Sequence, residues 1–294
     1  MKIAVGLPAY NEEKNLASII AKLKQKSYDV IVCNDGSTDN TKIIAEEMGC
    51  VVVNHSKNIG YGGAIRSLFN KAKEQNYDVL VTFDSDGQHF VEDIEAVLQP
   101  IKENKADLVI GSRLINETEK KIPKYRKLGI KAITKLTLTS SNQNINDSQS
   151  GFRGYNKKSL EKINPSETGM GISTEILIKA DRQNLKIFEV PINISYEGET
   201  STHNPATHGV SVIFSTMKFI SLEHPLKFYG IPGIIFLTIG LFFIVWTLQE
   251  FTISRKIITN IALIAAGSTI LGTIFMMTSI ILYSVVSLIR EKAD

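Results

Sequence analysis

Short apolar runs alternate with amphipathic stretches along residues 1–115 of the chain. Ile3–Leu7, Val30–Cys33, Val51–Val53, Val79–Phe83 and Leu108–Gly111 are rich in Val and Ile, which predicts strands. Between them, apolar positions recur at helical spacing near 12–26, 39–48, 62–75 and 92–104. This alternation predicts an α/β domain with an open, mostly parallel, Rossmann-like sheet and helices on both faces. Ligands of such sheets gather at the carboxyl ends of the strands. The residue that follows each strand is therefore the first place to look for chemistry.

The pattern changes near the C-terminus. Neither Phe228–Gln249 nor Ile257–Ile289 contains an Asp, Glu, Lys or Arg. A helix needs about 20 apolar residues to cross a bilayer. Two spans are expected, at about 229–249 and 258–286, and the short hinge Gln249–Lys256 makes them an antiparallel hairpin within 228–294. Ahead of the hairpin, residues 205–227 carry Val210, Val212, Ile213, Phe214, Met217, Phe219, Ile220 and Leu222 beside Lys218 and Lys227. They read as an amphipathic helix on the membrane surface, with an ordinary helix packed on the domain as the alternative. Met1-Lys2 leads straight into the first strand, so no secretory leader is expected. The domain of residues 1–204 is then expected on the cytoplasmic face of the cell membrane, in a multi-pass protein. Arg290 and Lys292 agree with that side; Arg255 and Lys256 in the hinge oppose it, so charge alone does not orient the hairpin.

Composition excludes some classes. The chain has 294 residues, 43% of them hydrophobic, enough for one sizeable core and something further. A net charge of +3 with no basic stripe argues against a nucleic-acid partner. Cys33 and Cys50 lie in apolar segments and read as reduced thiols of a cytosolic domain.

Four polar clusters follow four of the strands: Pro8-Ala9-Tyr10-Asn11-Glu12-Glu13, Asn34-Asp35-Gly36-Ser37-Thr38-Asp39, Asp84-Ser85-Asp86-Gly87-Gln88-His89 and Gly111-Ser112-Arg113. All fall on one edge of the expected sheet. Asp84 and Asp86, with the amide of Gln88, suit a hard divalent cation, Mg²⁺ or Mn²⁺, that also takes oxygens from a diphosphate. Such an ion would neutralise a departing nucleotide diphosphate. Asp35 could accept from a base N–H, Tyr10 could give a flat apolar surface, and Glu12 could reach ribose or base. Ser37 to Asp39 read as a turn and a helix cap. Asn58-Ile59-Gly60-Tyr61-Gly62-Gly63-Ala64 is a glycine-rich turn into a helix. It fits a phosphate cradle or a close-packed loop equally well, and lacks the Lys-Ser/Thr of a P-loop.

Together these segments resemble the GT-A-fold, family-2 glycosyltransferases, in particular the dolichyl-phosphate mannose and polyprenyl-phosphate glucose synthases. The resemblance covers about residues 1–220. It implies that Pro8, Tyr10, Glu12, Asp35, Asp84, Ser85 and Arg113 bind a nucleotide sugar, and that Asp84, Asp86 and Gln88 hold the metal. Asp147-Ser148-Gln149-Ser150-Gly151-Phe152-Arg153 resembles the family's acceptor-side element, and Tyr196–Ser201 its closing loop. Asp86, Arg113 and Arg153 are the expected catalytic groups; Arg153, Ser201 and His203 are expected at the lipid phosphate. The last loop departs from the family, since Ser201-Thr202-His203 stands where a Ser-Lys is common; His203 or His208 is the substitute. Glu175 opens a helix and reads as a capping acid. No Gln-x-x-Arg-Trp motif of polymer synthases is present; the sole Trp is Trp246, inside a span.

The expected activity is inverting, metal-dependent transfer of one hexose from a UDP- or GDP-linked sugar to polyprenyl phosphate. An acceptor phosphate is already anionic near pH 7 and needs no general base, so the site must supply positive charge. A membrane-bound transferase with another acceptor and a non-catalytic membrane scaffold stay open as alternatives, as do the sugar, the nucleotide and self-association of the two-helix anchor into a homo-oligomer.

Overall fold

The computed structural model describes residues 1–115, 145–195 and 224–291, together with 127, 129–131, 134–135, 214, 217–218 and 220–222. The chain divides into two compact units, Met1–Thr216 and Met217–Asp294.

The first unit is built on a seven-stranded sheet in the order β3-β2-β1-β4-β6-β5-β7. Its strands are β1 (Ile3–Ala9), β2 (Asp29–Asn34), β3 (Val51–Asn54), β4 (Val79–Thr82), β5 (Leu108–Ser112), β6 (Arg153–Asn156) and β7 (Ile187–Pro191). The five strands expected from the apolar runs are all present. The helices between them, α1 (Glu13–Gln25), α2 (Thr41–Glu47), α3 (Tyr61–Glu74) and α4 (Ile94–Lys102), match the four helical stretches within a few residues. Two more, α5 (Lys157–Lys162) and α6 (Ile172–Arg182), follow β6.

Each strand feeds two cores because side chains alternate between its faces. Val5, Leu7 and Ala9 of β1 pack with Leu16, Ile20 and Leu23 of α1 and Val97 and Leu98 of α4. Ala4 turns to the other face, with Leu68 and Phe69 of α3 and Ile176 and Leu177 of α6. Burying each of the Val, Leu, Ile and Phe side chains contributes about 1.5–3 kcal/mol.

Strands β1 to β4 run parallel, so their carboxyl ends share one edge. Strand β6 is inserted antiparallel between β4 and β5, with Thr82 and Ile110 both opposite Arg153. Its reversed direction brings its amino end, and the preceding segment 147–152, to that same edge. The sheet is thus mixed, mostly parallel with β6 reversed.

The second unit contains α7 (Ile231–Ser254) and α8 (Thr259–Glu291), preceded by a π-helical turn at Leu226–Gly230. Leu226–Ser254 and Thr259–Leu288 are each long and apolar enough to cross a membrane, and only 11% of each apolar window is buried, unlike a soluble core helix. A Cβ on Gly233 would fall 2.9 Å from Met276, and one on Gly272 2.7 Å from Leu237. Gly240 faces Thr269 and Gly230 faces Ser279 in the same way. As one position climbs the other falls by the same step, which is an antiparallel hairpin with glycines at the close approaches. The left-handed Arg255 (φ 56°) ends α7 at the turn. Most of the amphipathic segment expected at 205–227 lies outside the described residues; Phe214, Met217, Leu222 and Leu226 within it are exposed.

Candidate active site

The carboxyl edge of the sheet is stitched together before any side chain is free for chemistry. Ser85 Oγ donates to Pro8 O at 2.6 Å, joining the ends of β4 and β1. Asp35 N donates to Ala9 O at 2.9 Å, joining β2 to β1. The turn at 37–41 holds the one at 11–13: Asn11 N donates to Ser37 Oγ (3.0 Å), Glu12 N to Thr41 Oγ1 (2.8 Å) and Glu13 N to Asp39 Oδ2 (3.1 Å). Thr41 N, the first residue of α2, donates to Asp39 Oδ1 at 3.0 Å, the capping role read from the sequence.

Three carboxylates crowd the middle of this edge. Asp84 accepts from the Tyr61 hydroxyl at 3.0 Å and lies 3.4 Å from His89 Nε2. Asp86 Oδ1 accepts from Gln88 N at 3.0 Å. Asn15 Nδ2 reaches both Glu12 Oε2 and Asp86 O at 3.4 Å. Burial pushes the Asp86 carboxyl up to about 6, reinforced by the charge of Asp84. Burial, then the charges of Asp86, Asp39 and Asp84, pushes Glu12 up to about 7 against the Asn15 hydrogen bond. Burial opposes the charge on Asp84 too, but the hydrogen bonds of His89 and Tyr61 and the charge of Arg113 hold it below the usual carboxylate range. A Cβ on Gly151 would stand 2.7 Å from Asp84 Oδ2, so only glycine lets this main chain lie against the carboxylate.

Arg113 follows β5. It is clamped by Asp147, Nε to Oδ2 at 2.7 Å and Nη2 to Oδ1 at 2.9 Å. Asp147 is fully buried, and its own amide donates to Glu189 Oε1 at 2.9 Å. Burial alone would raise the Asp147 carboxyl, but Arg113 beside it outweighs this and holds it below its ordinary value.

Residues 4–164 match the family described as Glycosyl transferase family 2, more than half of the chain. The chain belongs to that family. It is 35% identical over 211 residues to a UDP-N-acetylglucosamine–dolichyl-phosphate N-acetylglucosaminyltransferase of Methanococcus voltae, covering 65% of this chain and 84% of the relative. It is 24% identical over 293 residues to glycosyltransferase AglJ of Haloferax volcanii, covering 99% of this chain and 95% of that one. In fold it is similar to glucosyl-3-phosphoglycerate synthase of Mycobacterium tuberculosis, crystallised with Mn²⁺, UDP and phosphoglyceric acid (TM-score 0.58, 21% identity, 74% of this chain and 78% of that one).

In this family-2 glycosyltransferase, Glu12, Asp84, Asp86 and Arg113 act on one another electrostatically, and Asp35 stands at the neighbouring strand end. Pro8 is buried and Tyr10 half-buried beside them. Ser85 is 3% exposed and its hydroxyl serves Pro8. Arg153 is placed differently from the phosphate-facing group expected. It is 1% exposed, and donates from Nε to Ser150 O (2.8 Å), Nη1 to Ser173 O (3.0 Å) and Nη2 to Ser148 O (2.7 Å). The cause is the period of the strand: Phe152 joins one core and Tyr155 the other, so Arg153 turns with Tyr155 under α6. Ser201, His203 and His208 lie outside the described residues. The glycine-rich turn proves to be a close-packed loop: the amides of Ile59 and Gly60 donate to Asp35 at 3.0 and 2.9 Å. Glu175 is fully buried and accepts from Ser166 N and Glu167 N at 2.9 and 2.8 Å, bracing the loop beyond.

Among the described residues, no three His, Cys, Asp or Glu side chains are grouped to hold an ion by themselves. The donor set nevertheless fits Mg²⁺ or Mn²⁺. Two carboxylates, one of them raised by the charge of the other, with Gln88 next to them, leave most of the coordination to phosphate oxygens and water, as such ions prefer. Sequence reasoning gave no role to Tyr61, His89, Asn15, His55 or Glu189, and quoted Asp147 only within a motif. No spacing marks them. Two of them stood inside quoted runs, Tyr61 in the glycine-rich turn and His89 at the end of the polar run after β4.

Proposed function

We propose that this glycosyltransferase carries out inverting, metal-dependent transfer of one hexose-type sugar from a nucleoside diphosphate to a polyprenyl phosphate. The observation that carries this is the gathering of Glu12, Asp35, Asp84, Asp86 and Arg113 on one sheet edge, with the acidic pair beside a clamped arginine. The base lies against Tyr10 and Pro8 with its N–H on Asp35; Glu12 takes the ribose, and Asp84 lines the sugar diphosphate while Ser85 braces Pro8 behind the base. Asp84, Asp86 and Gln88 hold Mg²⁺ or Mn²⁺. When bound, the ion acts as a Lewis acid that neutralises the departing diphosphate. Arg113 turns its positive charge toward the phosphate oxygens, and Asp147 fixes the plane of its guanidinium. The acceptor oxygen, already anionic, attacks the sugar carbon opposite the leaving diphosphate and needs no base.

Two spans and the dolichyl-phosphate relative support a lipid acceptor. A prenyl chain leaves the bilayer at about 0.8 kcal/mol per CH₂, so the enzyme must work at the surface. We place residues 1–204 on the cytoplasmic face as the catalytic domain, 205–227 along the membrane, and 228–294 across it. Arg153 braces the main chain at 148–150 from beneath, and Ser201 and His203 contact the lipid phosphate.

The test uses detergent-solubilised full chain, polyprenyl phosphate, Mn²⁺ and a panel of radiolabelled UDP- and GDP-sugars. Organic-extractable label that depends on Asp86 is expected from at least one donor. Label found only in water-soluble product would overturn the lipid acceptor.

A further inference from the structure

Behind the proposed base contact lies a buried relay that its role in transfer does not require. Asp35, 3% exposed, accepts from three donors: His55 Nδ1 at 2.6 Å and Ile59 N at 3.0 Å on Oδ1, and Gly60 N at 2.9 Å on Oδ2. A carboxylate can only accept, so His55 carries its proton on Nδ1. The far nitrogen, Nε2, is paired with Ser67 Oγ at 2.8 Å and lies 3.7 Å from Cys33 Sγ. Burial, then the charge of Asp35, pushes the Cys33 thiol up to about 12, so it adds no competing anion.

The loop that delivers two of these donors cannot drift. Gly60 has φ +98°, which favours glycine, and a Cβ there would meet Thr168 O at 2.5 Å. Gly63 N donates to Thr168 O at 3.2 Å, and Glu175 holds the amides of Ser166 and Glu167 just before it.

An ionised carboxylate has about four acceptor positions. Among the described residues three are occupied, and the one left is on Oδ2. Guanine presents two adjacent donors, a ring N–H and an amino group, and pairing both with a carboxylate needs an open position on each oxygen. An imide pyrimidine presents a single N–H between two carbonyls. We infer that the donor site selects a uracil-type nucleotide over a guanine one, and that His55 sets this choice by occupying Oδ1 of Asp35. The selection rests on the proposed contact between Asp35 and the base.

Equilibrium binding of UDP and GDP to detergent-solubilised full chain with Mn²⁺ tests it. UDP is expected to bind at least about tenfold more tightly, since guanine's amino group is left unpaired. His55→Ala opens Oδ1 and lowers the UDP:GDP ratio at least about fivefold, while His55→Asn, whose amide donates from a similar place, keeps it. A merely structural role for His55 would weaken both nucleotides together and leave the ratio unchanged. Wild-type protein that binds GDP as tightly as UDP overturns the selection. A His55→Ala protein with an unaltered ratio and melting temperature overturns the role of His55. Asp35→Ala that leaves UDP affinity intact sinks the base contact itself, a different result from either.

Discussion

The catalytic unit satisfies many polar groups across long stretches of chain, whereas the threonines of α7 and α8 are satisfied within one turn of their own helix. In the first, Arg113 meets Asp147, Thr82 Oγ1 donates to Gly151 O at 2.7 Å, and Ser85 reaches back to Pro8. In the second, Thr247, Thr252, Thr269 and Thr273 each donate to the carbonyl four residues earlier in their own helix. On helices this apolar a hydroxyl has few other partners, and an unbonded one is costly, so these hydroxyls are masked rather than aimed. The catalytic unit uses the same kinds of group to hold charges where they would not rest alone. Chemistry is therefore expected to respond to distant substitutions in the first unit and hardly at all to substitutions in the second.

The largest contrast comes from Asp86→Asn. Transfer is expected to fall by roughly 10²–10³-fold, with a melting temperature equal to or above wild type because Asp84 no longer repels a second charge. Loss of both activity and stability would break the contrast, since it would make Asp86 a structural residue. Asp147→Asn comes next. It leaves Arg113 without its clamp, costs about 3–5 kcal/mol in denaturant titrations, and lowers single-turnover transfer by about 10²-fold through misplacement of Arg113. The pH sign is set by the lowered carboxyl: the Asp147 contribution is present above its unfolded value of about 3.9 and is lost as pH falls through the folded value. Stability measured from pH 6 downward should decline less steeply in the variant.

Arg153→Lys separates two placements. A lysine cannot serve three carbonyls, so about 2–4 kcal/mol of stability is expected to go, with the KM for polyprenyl phosphate little changed. A raised lipid KM at full stability would return Arg153 to the phosphate. The smallest effects belong to the hairpin. Gly233→Leu forces its helices apart at Met276 and costs about 1–3 kcal/mol, and Thr247→Val costs about 0.6 kcal/mol. Neither should shift UDP binding, read by calorimetry.

The same division explains what could be read before the structure. Strands β1 to β5, helices α1 to α4 and both long apolar helices were legible because periodicity and apolar length are local properties. So was the carboxyl edge, because direction along a parallel sheet follows from strand order. The placement of Arg153 was not. Nothing near it says that β6 runs backwards between β4 and β5, which turns the guanidinium under α6. Nor could the glycine-rich turn be assigned between a phosphate and a protein partner, since Asp35 lies more than twenty positions away in the chain.

By itself, the sequence determined the α/β unit, the two long apolar helices, and which strand ends carry Asp35, Asp84, Asp86 and Arg113, because each is written in contiguous residues. Only the tertiary structure decided which of those charges are held and by what. Asp147 on Arg113, His55 on Asp35, and Tyr61 on Asp84 join residues from separate elements. Pairings of that kind exist only once the sheet has brought its edges together, where burial makes an unpaired charge costly enough to require a partner.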